Sequence, residues 1–188
     1  MIDSNLTLIN YGVTLRRLTH DKIEMMRQWR NDPKIQQYMQ YREHITPEMQ
    51  EHWFKKINND ANLYFIIDFE GEEVGVINIK DIDNENHFGE GGIFIYDDRI
   101  LNKDVSYRAH LLLFDYAFEE IGLQGITSEI LQSNQRAIRF AEFLGSKRQT
   151  IKKSEYGEIA CYLLTKESYL NNRNRNHFIK RWEFYNKD

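Results

Sequence analysis

Residues 87–145 give the clearest indication of the fold, and they read HFGEGGIFIYDDRILNKDVSYRAHLLLFDYAFEEIGLQGITSEILQSNQRAIRFAEFLG. An apolar strand is predicted at 92–96, and a polar loop separates it from a long amphipathic helix at 105–121. A second apolar strand at 126–131 is followed by another helix at 134–144. The order strand, loop, helix, strand, helix predicts two parallel strands connected by a helix that packs on the sheet.

The loop before residue 105 has the features of an anion site. A helix that begins after a loop presents unpaired backbone N–H groups and a partial positive charge, which together bind a pyrophosphate. If the strands at 92–96 and 126–131 diverge, the gap between them admits an extended ligand arm that pairs with the exposed strand edge. Because many α/β proteins contain such a unit, this reasoning indicates an extended phosphate-bearing ligand without specifying which one.

The rest of the chain adds strands and helices to this unit. The stretches 6–9 and 13–18 predict a hairpin or one bent edge strand, and helices are predicted up to Asp32 and from Pro47. Further strands are predicted at 63–69 and 74–79, a polar loop at 81–87, and a terminal hairpin over 146–164. The pattern is that of a mixed α/β sheet with helices on its faces.

Composition excludes several classes of protein. The 188 residues are 41% apolar and 29% charged, a mix that excludes a disordered or low-complexity chain. The formal net charge of −4 disfavours binding to nucleic acid or to a membrane surface. No apolar run is long enough to span a membrane, and residues 1–10 show no secretory signal, so we expect a cytoplasmic protein. The single cysteine, Cys161, excludes an intramolecular disulfide, and we expect no metal site.

The last residues differ in composition from the rest of the chain. We predict one domain over 1–170 and a basic, aromatic C-terminal extension over 171–188 that forms a surface helix folding back on the domain. A subunit or substrate contact is the alternative for this extension. Whether the protein forms a homodimer is left open.

Short motifs in a fixed order point to a known family. They include Leu15-Arg16-Arg17-Leu18, Trp29-Arg30-Asn31-Asp32-Pro33, His52-Trp53-Phe54, Gly75-Val76-Ile77, Gly92-Ile93-Phe94, Tyr116-Ala117-Phe118, and Asn134 with Arg136-Ala137-Ile138. Over about residues 14–170 the sequence resembles the GNAT superfamily of acetyl-CoA-dependent N-acetyltransferases. Within it, the sequence looks like the ribosomal-protein branch and, more narrowly, the 4-amino-sugar nucleotide N-acetyltransferases of the pseudaminic-acid pathway. The resemblance implies a mostly antiparallel sheet with a splayed parallel central pair and helices on both faces.

The resemblance also implies where acetyl-CoA binds. Its arm would lie along 93–96 and its pyrophosphate on the loop 101–107. The implied cofactor-binding residues are Phe94, Ile95, Tyr96, Leu101, Asn102, Lys103, Asp104, Val105, Ser106, Tyr107, Asn134, Ala137 and Phe140. The family's loop usually reads Arg/Gln-x-x-Gly-x-Gly/Ala, whereas Leu101, Asp104 and Ser106 stand at the matching positions here. We expect the carboxylate of Asp104 to repel the anion, with Lys103 and Arg108 offsetting it.

Glu90 and His52 are the catalytic candidates. The acceptor amine must lose a proton before it attacks a thioester, and Glu90 matches the acidic position on the family's central strand, where it would act through a water. His52 matches a substrate-side histidine of the subgroup, and His44 and His87 are further bases by their ordinary pKa. An exposed strand carboxylate and a surface or packed histidine are the alternative readings of Glu90 and His52.

The general acid is missing from its usual place. Many family members carry a tyrosine seven residues after Asn134, whereas this chain has Ala141. A thiolate is a tolerable leaving group near neutral pH, so an acid helps without being indispensable. Tyr107, Tyr116 or an ordered water would have to donate the proton.

Four residues match the subgroup's substrate-side positions: Arg30, Asn31, Met39 and Trp53. Arg30 would hold a nucleotide phosphate through its two-pronged guanidinium, and Met39 and Trp53 would line a nucleobase pocket. Ordinary packing of an amphipathic helix pair is the alternative.

These observations predict an enzyme that transfers acetyl from acetyl-CoA directly to a primary amine. A nucleotide-linked 4-amino sugar for surface glycans is the leading acceptor. The alternatives are a protein or peptide N-terminal amine, an aminoglycoside or other small amine, and a non-catalytic acyl-CoA binder or scaffold with a degraded phosphate loop.

Overall fold

The computed structural model describes residues 5–186, which form one eight-stranded sheet in the order β1-β2-β3-β4-β5-β6-β8-β7. The strands are β1 (Thr7–Asn10), β2 (Val13–Arg17), β3 (Leu63–Phe69), β4 (Glu72–Asp83), β5 (Phe88–Ile95), β6 (Gly125–Leu131), β7 (Lys147–Ser154) and β8 (Gly157–Thr165). Neighbouring strands are antiparallel except for β5 and β6, which run parallel. The mixed α/β fold predicted from the sequence is confirmed.

The parallel pair separates soon after it forms. Its register partners are Phe88 with Gly125, Gly89 with Ile126, and Glu90 with Thr127. Beyond them β5 continues beside β4 and β6 continues beside β8, so the two central strands diverge. The splayed pair implied by the family resemblance is therefore present.

Helices lie against both faces of the sheet. They are α1 (Ile23–Asn31), α2 (Pro33–Gln36), α3 (Pro47–Ile57), α4 (Val105–Asp115), α5 (Gln135–Phe143), α6 (Lys166–Leu170) and α7 (Arg173–Tyr185). Local sequence explains where several begin: Thr46 caps α3 by accepting the Met49 amide at 3.2 Å, and Pro47 occupies its first turn. No helix within residues 5–186 is long and apolar enough to cross a bilayer.

Two apolar layers follow from the alternation of side chains along the strands. Ile93 and Ile95 of β5 pack on the layer under α4, whereas Phe94 and Tyr96 pack on the layer under α1 and α3. Trp29 of α1 stacks on Tyr96, with 5.1 Å between ring centres and an interplanar angle of 16°. The central strand is thus held from both sides.

The structure corrects two element boundaries. β4 runs to Asp83 and β5 begins at Phe88, so the hairpin extends into residues predicted as a loop. Backbone pairing of these polar residues outweighs their composition, and Asp83 Oδ1 closes the turn by accepting the amides of Glu85 and Asn86 at 2.9 and 3.0 Å. The predicted helix at 105–121 is α4 followed by one π-helical turn, Tyr116–Glu120.

The C-terminal helix α7 folds back on the α4 layer. Phe178, Ile179 and Trp182 pack against that layer, and the Phe178 ring centre lies 5.8 Å from that of Tyr11. Residues 1–4 of the predicted domain, and Lys187 and Asp188 of the predicted extension, lie outside the described residues. The division at residue 170 stays a prediction.

Candidate active site

The gap between β5 and β6, here called the wedge, is bordered by residues 91–95 and 128–131. Tyr96 donates its backbone N–H to Val74 of β4 at 2.8 Å, whereas the carbonyl of Gly89 faces β6 and accepts from Thr127 Oγ1 at 3.2 Å. Backbone groups alternate in direction along a strand. Those that point into the wedge therefore belong to Gly91, Ile93 and Ile95. They are available to an extended ligand that takes the place of a strand.

Glycines keep the narrow end of the wedge open. A Cβ on Gly91 would lie 2.9 Å from Ile126 Cγ2, and a Cβ on Gly92 would lie 3.0 Å from Asn78 Oδ1. Side chains at these positions would occupy space on both faces of the sheet where the two strands part. Both glycines thus let β5 lie close to Ile126 and Asn78 at the point where the strands part.

The α4 side of the site is apolar. The buried His110 ring lies 5.1 Å from Phe114 and 5.0 Å from Phe140, measured between ring centres. Burial lowers the pKa of His110 to about 4, although its hydrogen bond with the Ser106 carbonyl opposes the shift. His110 is therefore neutral at physiological pH and acts as part of the wall.

The loop that enters α4 leaves helix amides available to an anion. Asp104 stands at the helix N-cap but makes no capping hydrogen bond, because its carboxylate accepts from Arg108 Nε at 2.8 Å. The first N–H groups of a helix have no partner within the helix. The repulsion expected from Asp104 is therefore compensated by Arg108. Lys103 does not contribute to this compensation, since its Nζ lies 3.7 Å from Glu70 Oε2.

Two carboxylates border the wedge on the opposite face, and each pairs with a lysine. Lys80 Nζ lies 3.1 Å from Glu90 Oε1, and Lys152 Nζ forms a close ion pair with Glu129. Gln40 also donates to Glu129, at 2.9 Å. Although burial alone would lower it, the pKa of Lys80 is raised by its contact with Glu90. Glu90 therefore lies beside a stable positive charge at the last register pair before the strands separate.

Arg30 and Trp53 lie beside this face. Tyr64, Asn78 and Gly92 are register partners on three adjacent strands, so they form a row that leads to the wedge. Trp53 packs on the Tyr64 ring at 5.1 Å between centres, and burial raises the pKa of Tyr64 to about 12. Within residues 5–186 no carboxylate forms an ion pair with Arg30, and its buried Nε has no hydrogen-bond partner.

Asn31 and Met39 act on the segment that connects α2 to α3. Asn31 Oδ1 accepts the Ile45 amide at 2.8 Å and its Nδ2 donates to the Ile45 carbonyl at 2.9 Å. The carbonyl of Met39 accepts from Arg42, whose guanidinium lies 4.3 Å from the centre of the Tyr156 ring. Both residues thus hold the connecting segment in place, and direct contact with a substrate stays a prediction for each.

The remaining candidates are dispersed. His52 is exposed on α3, and its catalytic role stays a prediction. Asn134 caps α5 by accepting the Ala137 amide at 3.1 Å. The Tyr107 ring centre lies 5.3 Å from those of Phe143 and Phe178, its hydroxyl is buried near Arg175 and Asp115, and burial raises its pKa to about 12. Its hydroxyl is therefore directed into the helix layer rather than into the wedge.

Tyr116 is also placed away from the wedge. It lines a shallow cleft beside β1 with Leu8 and Glu120. Neither tyrosine suggested as a substitute acid reaches the diverging strands, which leaves an ordered water as the remaining candidate.

Sequence reasoning missed Lys80, Glu129 and Lys152. Glu129 interrupts a strand that was predicted to be buried, and a carboxylate in such a place indicates either a partner or a function. That signal is present in the sequence, whereas its pairing with Lys152 of β7 is visible only in the folded chain.

This geometry suits a group-transfer enzyme that binds an extended cofactor with phosphates at one end. The wedge offers strand backbone to the arm, and α4 offers uncapped amides to the phosphates. Residues 13–147 match the family model described as acetyltransferase (GNAT) domain. The chain belongs to the GNAT acetyltransferase family.

Individual relatives agree with this assignment. Acetyltransferase PseH of Campylobacter jejuni is 25% identical over 123 residues, which cover 65% of this chain and 74% of that protein. Spermidine N(1)-acetyltransferase of Escherichia coli K12 is 24% identical over 136 residues, 72% of this chain and 73% of that protein. The fold is also similar to that of Vibrio cholerae spermidine N-acetyltransferase, whose structure is in complex with CoA and spermine. The two superpose with a TM-score of 0.77 and 19% sequence identity, over 86% of this chain and 100% of that chain.

The protein is an acetyl-CoA-dependent N-acetyltransferase that acts on an amine. Acetyl-CoA supplies an acetyl group activated as a thioester. Beside the splayed strands the chain carries the Glu90 carboxylate paired with Lys80, and no side chain caps the start of α4.

Proposed function

We propose that the acceptor is the amine of a nucleotide-linked amino sugar. The proposal is carried by the charge of the face around the wedge. Each bordering carboxylate, Glu90 and Glu129, is paired with a lysine, of which Lys80 is shared with the exposed Asp81 at 3.5 Å. Arg30 adds a cation without a carboxylate partner among residues 5–186. Such a face suits a molecule that carries an anionic group as well as an amine, and it suits a polycation poorly.

Arg30 would bind the nucleotide phosphate. Burial lowers the pKa of Arg30 from its ordinary value, but a guanidinium stays protonated in proteins. A partly desolvated guanidinium without a carboxylate gains more from a phosphate than an exposed, paired one does. Trp53 beside Tyr64 adds an aromatic surface for a base or sugar ring.

Glu90 would accept the amine proton through a water, as its position before the splayed segment suggests. The amine must be neutral when it attacks, and the Glu90 carboxylate, 3.1 Å from Lys80 Nζ, is the acidic group placed to take its proton. The backbone N–H groups directed into the wedge would donate to the carbonyl oxygen where negative charge develops. His52 is proposed as a substrate contact rather than as the base because it is exposed.

Acceptor choice is tested by measuring CoA thiol release with acetyl-CoA and four amines: a nucleotide-linked 4-amino sugar, the same sugar without the nucleotide, spermidine and a peptide with a free N-terminus. We expect the nucleotide-linked sugar to give the highest kcat/KM. Turnover that is fastest with spermidine or the peptide would contradict the proposal. Binding of acetyl-CoA without turnover of any amine would favour the non-catalytic alternative.

Arg30→Ala is expected to raise KM for the nucleotide-linked sugar by about 10- to 100-fold, since a hydrogen bond to a charged group contributes about 1.5–3 kcal/mol. KM for the sugar without the nucleotide should change little. Arg16→Ala is the matched control, because Arg16 is an exposed arginine paired with Asp68 at 2.6 Å. Equal losses with both acceptors would remove Arg30 from phosphate recognition.

A further inference from the structure

The loop that enters α4 has little positive charge left for an anion. Lys103 is compensated by Glu70 at 3.7 Å and lies 5.0 Å from the centre of the Phe69 ring. Arg108 is compensated by Asp104 at 2.8 Å. The phosphates of acetyl-CoA carry several negative charges, so a cation for them must come from another element.

Arg136 on the first turn of α5 is such a cation. Its guanidinium donates to the carbonyl of Leu101, which is part of the loop. Within residues 5–186 no carboxylate lies within ion-pair distance of Arg136. Because α5 follows β6, this contact brings an uncompensated charge to the loop from the opposite border of the wedge.

The helix itself gives no reason for a cation here. The first turn of α5 contains no acidic residue, and a positive side chain at that end opposes the helix dipole. A backbone carbonyl is also a weaker partner for a guanidinium than an anionic oxygen. A phosphate at the edge of the loop would satisfy the charge that Leu101 leaves uncompensated.

We propose that Arg136 is the cationic ligand of the acetyl-CoA phosphates and that its hydrogen bond to the Leu101 carbonyl holds it at the edge of the loop. The other N–H groups of its guanidinium would donate to phosphate oxygens. This arrangement lets a loop without the family's glycines, and with Asp104 in it, keep its anion site. The inference rests on the use of acetyl-CoA and not on the identity of the acceptor.

The test is calorimetric titration of the whole chain with CoA. Arg136→Ala is expected to raise the Kd of CoA about tenfold or more, and Arg136→Lys should recover part of the loss because the charge remains without its planar fork. Arg139→Ala is the matched control, since Arg139 is an exposed arginine one turn further along α5. Added salt should weaken CoA binding more in the unsubstituted chain than in Arg136→Ala.

A second donor separates phosphate binding from a structural role. S-acetylpantetheine lacks the adenosine phosphates, so its Kd in the same calorimetric titration should be unchanged by Arg136→Ala. Three results would each overturn the proposal. They are an equal loss of affinity for both donors, a Tm that is lowered in Arg136→Ala but not in Arg139→Ala, and a Kd of CoA for Arg136→Ala that equals that of the unsubstituted chain. Because these titrations need no amine, failure of the amino-sugar assignment would leave their outcome unaffected.

Discussion

Glu90→Gln is expected to lower kcat by about 10²–10⁴-fold, the range typical of a lost general base. Glu90 is the last residue of β5 with a partner on β6, so its side chain lies where the wedge opens and where the amine must approach. Glutamine keeps the size of the side chain and can still contact Lys80, but it cannot accept a proton. Steady-state rates of thiol release measure kcat, and calorimetry with CoA measures cofactor affinity.

Two controls make this result interpretable. Glu85→Gln removes an exposed carboxylate from the turn of the same β4–β5 hairpin and should leave kcat unchanged. The Kd of CoA should be the same in Glu90→Gln as in the unsubstituted chain. If kcat of Glu90→Gln stays within a factor of two of the original, Glu90 is an ordinary strand carboxylate, and the proton must leave by another route.

Asp115→Ala is expected to lower the free energy of unfolding by about 3–5 kcal/mol, the usual cost of removing one partner of a buried ion pair. Asp115 accepts three hydrogen bonds at 2.7 Å, from the hydroxyls of Tyr11 and Tyr169 and from Arg175 Nη2. The side chains of Asp115 and Arg175 are only 17% and 12% exposed. These contacts join α4 to the β1–β2 turn, to α6 and to α7, so their loss leaves a buried guanidinium without its carboxylate.

The two tyrosines that donate to Asp115 remain protonated, which favours such a large effect. Burial, together with the nearby Asp115 carboxylate, raises the pKa of both Tyr11 and Tyr169, so both phenols stay neutral donors at physiological pH. Urea denaturation gives the free energy of unfolding. Glu119→Ala is the matched control, because Glu119 is 55% exposed and lies 3.8 Å from Arg175, a geometry that contributes about 0–1 kcal/mol. Equal destabilisation by the two substitutions would show that Asp115 is not the centre of the cluster.

Local sequence patterns were sufficient for most of the elements. Thr46 and Asn134 mark helix starts because the side chain of each accepts the backbone amide three residues further on. Pro47 marks the same start as Thr46 because it suits the first turn. Gly122, at a φ of +83°, marks the end of the long helix for an equally local reason. The hairpin at 81–88 was misjudged because backbone pairing with a neighbouring strand is not visible in the polarity of its own side chains.

Contacts between residues far apart in the sequence could not be predicted in this way. Arg136 meets Leu101 across 35 residues, and Lys152 meets Glu129 across 23. The first contact links the segments that follow β5 and β6, and the second crosses β8, which lies between β6 and β7; no short window of sequence specifies either arrangement. Periodicity, caps and turns thus defined most of the strands and helices, and the family resemblance implied the wedge. Which charges around that wedge are neutralised, and which remain for a ligand, was set by packing, because the strength of a charge contact depends on distance and burial rather than on spacing along the chain.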